Sequence, residues 1–290
     1  MLWIPLTIAA AFLQNLRSLL QRRLTGALSV NGAAYVRFCF ALPFAWLYLW
    51  ALTGGAAPSA PGAGFWGYVI AGSLGQMFAS ACLMAAFTLR SFAVGTALSK
   101  TEAVQTALLG LLVLGDRLAP LAWVGVGVSF VGVLLLMTGV SVRDALRHPR
   151  GLALGLLAGA GLAVAAVGFR GAALALPEGS AALRAAVTLA VALALQTLVM
   201  GLYLRLREPG ELSRIAGAWR AGLAVGACGA AASVAWFTAM TLEASALVRA
   251  LGQVELLFAL LASGWVFRER VRPRELVGVV TLVAGILLLL

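Results

Sequence analysis

Residues Thr88 to Leu136 read TLRSFAVGTALSKTEAVQTALLGLLVLGDRLAPLAWVGVGVSFVGVLLL, and residues Thr241 to Leu289 read TLEASALVRALGQVELLFALLASGWVFRERVRPRELVGVVTLVAGILLL. The two stretches align without a gap at a constant spacing of 153 residues. Pairs of like residues at this spacing are Glu102 and Glu255, Asp116 and Glu269, Arg117 and Arg270, Pro120 and Pro273, Gly125 and Gly278, and Gly132 and Gly285. Charged residues are rare in this chain, so their recurrence indicates a duplicated structural unit.

The repeat extends toward the beginning of each half of the chain. Arg17 falls on Arg170 at the same spacing, and Arg37 matches Arg184 once the shorter loop of the second half is allowed for. We therefore divide the chain into two halves, residues 1–140 and residues 151–290, each of which contains one copy of the unit.

The composition indicates an integral membrane protein. Hydrophobic residues make up 62% of the chain and charged residues only 11%, and the mean hydropathy is +1.01. Soluble domains are roughly 45–50% apolar and about 25% charged. The apolar blocks are about 20 residues long, enough to cross a hydrocarbon core of about 30 Å as helices, and they lack the alternation of barrel strands. The predicted fold is all-α, with ten transmembrane helices at approximately residues 2–20, 32–52, 66–89, 92–114, 119–138, 151–175, 181–204, 220–241, 245–266 and 274–290.

Five spans in each half have a geometric consequence. An odd number of crossings returns the chain on the opposite side of the membrane, so the second half is inverted with respect to the first. Inverted repeats recur in secondary transporters, where the substrate site lies near the middle of the bilayer and access alternates between its two sides. Since one chain contains both halves, we expect a monomer to be sufficient for transport.

The basic residues predict the orientation of the chain. Fourteen arginines fall in the loops that follow the odd-numbered spans, whereas the opposite side has only Arg117; the fourteen are Arg22, Arg23, Arg90, Arg143, Arg147, Arg150, Arg205, Arg207, Arg214, Arg220, Arg268, Arg270, Arg272 and Arg274. Basic loops remain in the cytoplasm. We therefore expect a multi-pass protein of the cell inner membrane with both termini on the non-cytoplasmic side. This distribution explains the net charge of +11 without nucleic-acid binding.

The repeated motifs carry a family resemblance over essentially the whole chain. Two copies of a five-span unit resemble the drug/metabolite transporter superfamily, in particular its EamA-type members. Their repeats contain a stretch similar to Leu-Glu-Pro-Val, a turn similar to Leu-Gly-Glu-Arg-Leu and a final glycine-rich span. The counterparts here are TEAV at Thr101 to Val104, LGDRL at Leu114 to Leu118, VELL at Val254 to Leu257 and FRERV at Phe267 to Val271. The resemblance implies export of small metabolites, amino acids or drugs.

The chain departs from the family pattern at three places. Ala103 and Leu256 stand where the family usually has proline, so the sequence gives no reason to expect a kink in spans four and nine. Phe267 and Arg268 replace the usual Leu-Gly.

Charged residues inside span four mark the candidate site. A charge at the middle of a lipid-facing helix costs at least about 2.5–3.5 kcal/mol, so such residues face a bundle interior or a wet cavity and usually pair. Glu102 lies near the middle of the span, with Ser99, Gln105 and Thr106 on the same helix face. Lys100 projects about 200° around the axis from Glu102, so we expect the partners of both residues on other helices. Span nine offers Arg249, Gln253 and Glu255.

Two interpretations of these residues remain open. In the functional one, Glu102 and Glu255 are titratable groups that couple substrate export to proton entry, and Lys100 sets the charge of the site. In the structural one, the two carboxylates accept hydrogen bonds from backbone groups or from the arginines of spans one, two, six and seven, and only hold helices together. Arg37 and Arg184, near span ends, fit snorkelling or a structural pair better than substrate contact. Polar and aromatic residues that could line the same cavity are Asn15, Gln76 and Trp236.

Other classes of protein fit the sequence less well. An intramembrane enzyme needs a nucleophile with its base or a metal cluster, but the chain has one histidine, His148, and no clustered Cys, His and Asp ligands. There is no glycine loop of the Walker type, so we expect no bound nucleotide and no other cofactor. The expected partners are a small-molecule substrate, protons and membrane lipids. A passive facilitator, exchanger or channel for a small solute remains the alternative.

Overall fold

The computed structural model describes residues 1–22, 24, 26–56, 60–87, 92–136, 148–262 and 273–289. These residues form helices joined by turns and short loops, and no strand occurs among them. The helices are α1 (Trp3–Arg22), α2 (Val30–Cys39), α3 (Leu42–Thr53), α4 (Ala63–Phe87), α5 (Phe92–Ser99), α6 (Glu102–Leu109), α7 (Pro120–Leu136), α8 (Pro149–Leu174), α9 (Ala181–Arg207), α10 (Glu211–Gly217), α11 (Trp219–Leu242), α12 (Ser245–Leu251), α13 (Glu255–Ala262) and α14 (Pro273–Leu287).

Six helical stretches of the described residues are long and apolar enough to cross a membrane. They are Val30–Thr53, Ala63–Ala86, Val94–Leu114, Pro149–Leu174, Ala181–Arg207 and Trp219–Leu242. An all-helical, multi-pass membrane protein is therefore confirmed. The count of ten spans and the inversion of the second half stay predictions; the predicted span ends at 88–89, 137–138, 263–266 and 290 lie outside the described residues.

The chain forms two compact units, and each takes segments from both sequence halves. Unit 1 consists of Met1–Ser73 and Gly168–Leu242, and unit 2 consists of Leu74–Val167 and Glu243–Leu290. Helices α4 and α8 each contribute one part to unit 1 and the other part to unit 2.

In unit 1, α1 packs along α11, and α9 packs against α2, α3 and α11. Glycines allow the backbones to approach closely: a Cβ on Gly226 would overlap the carbonyl group of Phe40, which lies between α2 and α3. The rings of Phe169 and Phe237 stack with their centroids 4.6 Å apart. A cluster of buried apolar side chains in this unit joins the residues before α2 to α2, α9, α10 and α11: Leu24, Leu28, Ala33, Val36, Leu204, Ile215 and Val225.

In unit 2, α7 and α14 form a close crossing that reflects the sequence repeat. A Cβ on Gly132 would overlap the backbone nitrogen of Leu282, and one on Gly285 would overlap the backbone nitrogen of Ser129. Gly132 and Gly285 are 153 residues apart, and so are Ser129 and Leu282. The same contact therefore occurs twice, as expected when two equivalent helices pack about a local two-fold axis.

Helix breaks occur at equivalent positions of the repeat in spans four and nine. Span four is interrupted at Lys100 and Thr101, between α5 and α6, and span nine contains a 3₁₀ turn over Gly252–Val254, between α12 and α13. The absence of proline gave no reason to expect a kink in these spans, yet both are interrupted. At the first break, the backbone nitrogens of Lys100 and Thr101 donate to carbonyls three residues back, at 3.2 and 3.1 Å.

Serine and threonine side chains provide a physical reason for the first break. The hydroxyl of Ser99 donates to the carbonyl oxygen of Thr96 at 2.8 Å, and that of Thr101 donates to the carbonyl oxygen of Leu98 at 2.6 Å. Such local bonds compete with the helical pattern and bend helices. A break in a spanning helix therefore needs no proline.

Candidate functional site

Two ion pairs join the broken helices within unit 2. The guanidinium of Arg249 donates to Glu102, with Nη2 2.7 Å from Oε2, and the ammonium of Lys100 donates to Glu255. The side chain of Glu102 is only 6% exposed. The prediction that Lys100 and Glu102 find their partners on other helices is confirmed. The structural interpretation named backbone groups or Arg17, Arg37, Arg170 and Arg184 as partners; the structure shows Arg249 paired with Glu102 and Lys100 paired with Glu255.

The helix breaks position both carboxylates. Glu102 is the first residue of α6, and Glu255 is the first residue of α13. A negative charge in the first turn of a helix is favoured by the helix dipole and by the unpaired backbone N–H groups there. Lys100 lies in the turn itself. The two breaks thus place equivalent carboxylates at equivalent helix starts.

The cations of the two pairs do not follow the repeat. Gln253 stands where the first half has Lys100, and Thr96 stands where the second half has Arg249. Each carboxylate is nevertheless paired with a cation from the other sequence half. Gln253 is buried, and its Nε2 lies 3.4 Å from the carbonyl oxygen of Arg249, a long hydrogen bond. The cluster therefore contains two cations, two carboxylates and a buried amide, and its net charge is zero.

The polar residues predicted on one face of span four are divided by the break. Ser99 is the last residue of α5 and is buried, with its hydroxyl on its own helix. Thr106, one turn after Glu102, is fully buried. Gln105 donates to the hydroxyl of Thr101 at 2.8 Å and to the carbonyl oxygen of Leu156 at 3.4 Å. The expectation of one continuous polar stripe is thus corrected, because Ser99 and Glu102 belong to different helices.

The other predicted site residues are divided between the units. Gln76 is half-buried in the part of α4 that belongs to unit 2. Asn15 and Trp236 belong to unit 1: the amide of Asn15 donates to the carbonyl oxygen of Ala11 at 3.2 Å, and Trp236 is 7% exposed. Their role as cavity-lining residues stays a prediction.

Unit 1 contains a polar network that was not predicted from the sequence. The hydroxyl of Ser29 and the amide of Asn31 both donate to Glu208, and the backbone nitrogen of Ser29 donates to Glu211 at 2.6 Å. Glu211 also pairs with Arg214 at 2.6 Å. A serine just before an apolar helical run signals the start of a helix, but no local signal identifies carboxylate partners about 180 residues away.

Comparisons with known proteins identify the class. The model of the EamA-like transporter family matches the chain twice, over residues 1–138 and 149–290. No curated protein matches. A solved structure titled only "Crystal structure of protein" is similar over 99% of this chain and 95% of its own, with 17% sequence identity and a TM-score of 0.75, and so has the same fold. The chain belongs to the EamA-like transporter family and is a membrane transporter of small solutes, which confirms the resemblance seen in the motifs.

Proposed function

We propose that the chain is a secondary transporter that exports a small metabolite, such as an amino acid, a related metabolite or a drug, across the cytoplasmic membrane by alternating access. In this proposal, ten spans form two inverted five-helix halves, both termini lie outside the cytoplasm, and a monomer is sufficient. The reciprocal contacts of Gly132 and Gly285 support equivalent packing of the two halves.

The two ion pairs of unit 2, each of which joins a residue of one sequence half to a residue of the other, carry this proposal. Buried ion pairs contribute little net stability, because the loss of hydration offsets most of their attraction, and ionisable residues inside a membrane usually serve a pathway or a coupling step. Lys100, Glu102, Arg249 and Glu255 adjoin two helix breaks, which are the usual place for such groups in transporters. Opening the pairs would release a carboxylate and a cation together.

We assign the cluster a coupling role on this basis. Glu102, assisted by Glu255, takes up a proton when its cationic partner is drawn away, and returns the proton when the pair closes again. Lys100 and Arg249 set the charge of the site, and Ser99 and Gln253 provide polar groups beside it. Gln76, Trp236 and Asn15 line the substrate pathway.

A passive facilitator or channel is the second candidate. The observation that favours it is that each carboxylate already has a cationic partner. The pairs could then hold α6, α12 and α13 in place throughout the cycle while a solute moves down its own gradient.

Proton-driven uptake into inside-out vesicles tests the coupling role. The substitution Glu102→Gln keeps the shape and hydrogen-bonding capacity of the side chain but removes its titration. We expect wild-type uptake from a metabolite panel to follow an imposed pH gradient, and the Gln variant to lose this dependence. Glu178→Gln, in an exposed loop, is the matched control.

Two results would contradict the proposal. If the folded Glu102→Gln variant retains gradient-driven uptake, Glu102 is not the coupling residue. If the wild-type protein moves solute but ignores the gradient, the facilitator is the correct interpretation.

A further inference from the structure

Gln253 is a buried glutamine at the second helix break of unit 2. It lies in the 3₁₀ turn between α12 and α13, and only 2% of it is exposed. Its Nε2 lies 3.4 Å from the carbonyl oxygen of Arg249. A carbonyl can only accept a hydrogen bond, so the amide nitrogen is the atom that faces it, and this fixes the orientation of the amide. Oε1 of Gln253 is therefore turned away from that carbonyl.

This oxygen is a buried acceptor to which no described residue donates a hydrogen bond. A buried acceptor without a donor costs about 1–3 kcal/mol, and the large majority of buried polar atoms have a partner. The surroundings are apolar, since Ala103 and Ala250, which adjoin Glu102 and Arg249, belong to one buried apolar cluster. The position is therefore suited to a donor that comes from outside the chain.

The repeat relates this acceptor to a cation. At the spacing of 153 residues, Gln253 corresponds to Lys100. Glu102 corresponds in the same way to Glu255, the ion-pair partner of Lys100. The counterpart of that ion pair, Gln253 with Glu102, thus offers two acceptors, and the cation comes instead from Arg249, whose Nη2 lies 2.7 Å from Oε2 of the carboxylate. An ammonium from a solute would supply here the group that Lys100 supplies at the first break.

The charge balance of the cluster restricts the kind of solute. The charges of the two ion pairs cancel, so a solute with a net charge would leave one charge unpaired among buried groups, which is costly. A zwitterion avoids this cost. Its ammonium can take the place of the guanidinium beside Glu102, and its carboxylate can bind the guanidinium of Arg249, whose planar donors match a carboxylate. Each charge is then exchanged for a like charge.

We propose that Oε1 of Gln253 accepts a hydrogen bond from the ammonium group of a zwitterionic solute, while Glu102 binds the same ammonium and Arg249 binds the carboxylate of that solute. This inference rests on the proposed function and deepens it by naming the substrate class. The acceptor of Gln253 gains its hydrogen bond only when the solute is bound, so the cost of burying it in the unliganded protein contributes to selection of the solute.

Binding of amino acids to the purified protein tests this proposal. The probes are the twenty common amino acids, added one at a time at pH 7 and constant ionic strength, and thermal unfolding is followed in detergent. We expect at least one of them to raise the midpoint in a saturable way. Its N-acetyl derivative lacks the ammonium and its methyl ester lacks the carboxylate, so both should bind at least tenfold more weakly. Ribose, which offers only uncharged hydroxyl donors, should give no shift at the same concentration.

Two glutamine variants separate binding from folding. Gln253→Met keeps the length of the side chain but removes the unpaired acceptor and only one long hydrogen bond. The midpoint of the unliganded variant should therefore equal or exceed that of the wild type, whereas its affinity for the amino acid should fall at least tenfold. Gln21 of unit 1 donates to the carbonyl oxygen of Ala33 at 2.7 Å. Gln21→Met should show the reverse, with a lower midpoint and wild-type affinity.

Several results would overturn this inference. Unchanged affinity in Gln253→Met would show that the amide is structural or hydrated and takes no part in binding. The same conclusion against a zwitterion follows if no amino acid shifts the midpoint, or if the N-acetyl derivative binds as tightly as its parent.

Uptake into inside-out vesicles distinguishes this inference from the proposed function. If a solute that is not a zwitterion shows proton-driven uptake that depends on Glu102, the inference fails and the proposed function stands. If an amino acid binds through Gln253 but its uptake ignores the pH gradient, the inference stands and the coupling role of Glu102 fails.

Discussion

The two units of this transporter hold their membrane charges in different ways. In unit 2, Lys100 and Arg249 are matched by Glu255 and Glu102 at the broken helices. In unit 1, the long helices carry Arg17, Arg37, Arg170 and Arg184 and no carboxylate; the acidic side chains of that unit lie in loops and in the short helix α10.

This difference separates two uses of a buried charge. A matched pair supplies its own counter-charge, so it can hold helices together and can act as a switch when it opens. The carboxylates of unit 1 lie outside its long helices, so removal of one of these arginines leaves no buried carboxylate of the same helices behind. We therefore expect removal of a cation to lower the free energy of unfolding much more in unit 2 than in unit 1.

The largest expected effect is on the stability of unit 2. Arg249→Gln leaves the buried carboxylate of Glu102 without its cation, and breaking a buried pair in this way costs about 3–5 kcal/mol. Arg184→Gln in unit 1 leaves no carboxylate of the same helices behind, so it should cost less than about 1 kcal/mol or stabilise the unliganded protein. Thermal unfolding of the two variants in detergent measures the contrast.

The double variant Glu102→Gln with Arg249→Gln is the control for this prediction. It removes both charges and should recover most of the stability lost in Arg249→Gln. Equal destabilisation by Arg184→Gln and Arg249→Gln would show that the arginines of unit 1 are structural pairs, and the distinction between the units would disappear.

The charged site residues of unit 2 could be predicted from the sequence, because charged residues within an apolar span can be recognised without knowing how the helices pack. A charge inside a spanning helix usually meets an opposite charge, and span nine offers Arg249 and Glu255 at the level of the repeat that contains Lys100 and Glu102. The sequence could not predict which cation meets which carboxylate. That choice depends on the breaks before Glu102 and Glu255, which follow from hydroxyl–carbonyl bonds and a 3₁₀ turn rather than from proline.

The second prediction concerns the reciprocal helix crossing of unit 2. A Cβ on Gly132 or on Gly285 would overlap the backbone of the facing helix, so Gly132→Ala and Gly285→Ala should each lower stability by about 1–3 kcal/mol. Their effects should be similar, because the two contacts are related by the repeat. Unfolding by heat or denaturant in detergent provides the measurement.

Gly127→Ala is the matched control in the same helix. A Cβ there meets nothing within 4 Å, so the change should be neutral or stabilising by up to about 1 kcal/mol. A large loss for Gly132→Ala with none for Gly285→Ala would show that the crossing is not symmetric, and that the two sequence halves have diverged in structure.

The division of the chain into two compact units could not be predicted from the sequence. Alignment of the repeats divides the chain near residue 145, whereas each compact unit combines segments from both halves. The polar network of unit 1 could not be predicted either, since Ser29 and Glu208 are 179 residues apart in the sequence. Contacts of this kind depend on how the helices pack, and no local pattern records them.

The smallest expected effect concerns the hydrogen bond from Ser29 to Glu208, and it tests whether this carboxylate is held by the residues before α2. Ser29 and Ser180 both cap helices: the hydroxyl of Ser29 accepts from the backbone nitrogen of Gly32 at 2.9 Å, and that of Ser180 accepts from Leu183 at 3.2 Å. Only Ser29 also donates to Glu208. Loss of a serine cap costs about 0.5–2 kcal/mol, and loss of a hydrogen bond to a charged group adds about 1.5 kcal/mol or more. Ser29→Ala should therefore destabilise the protein by about 1–2 kcal/mol more than Ser180→Ala in thermal unfolding. Equal costs would mean that Glu208 is not held by Ser29 and is available as a counter-charge, which would weaken the contrast between the two units.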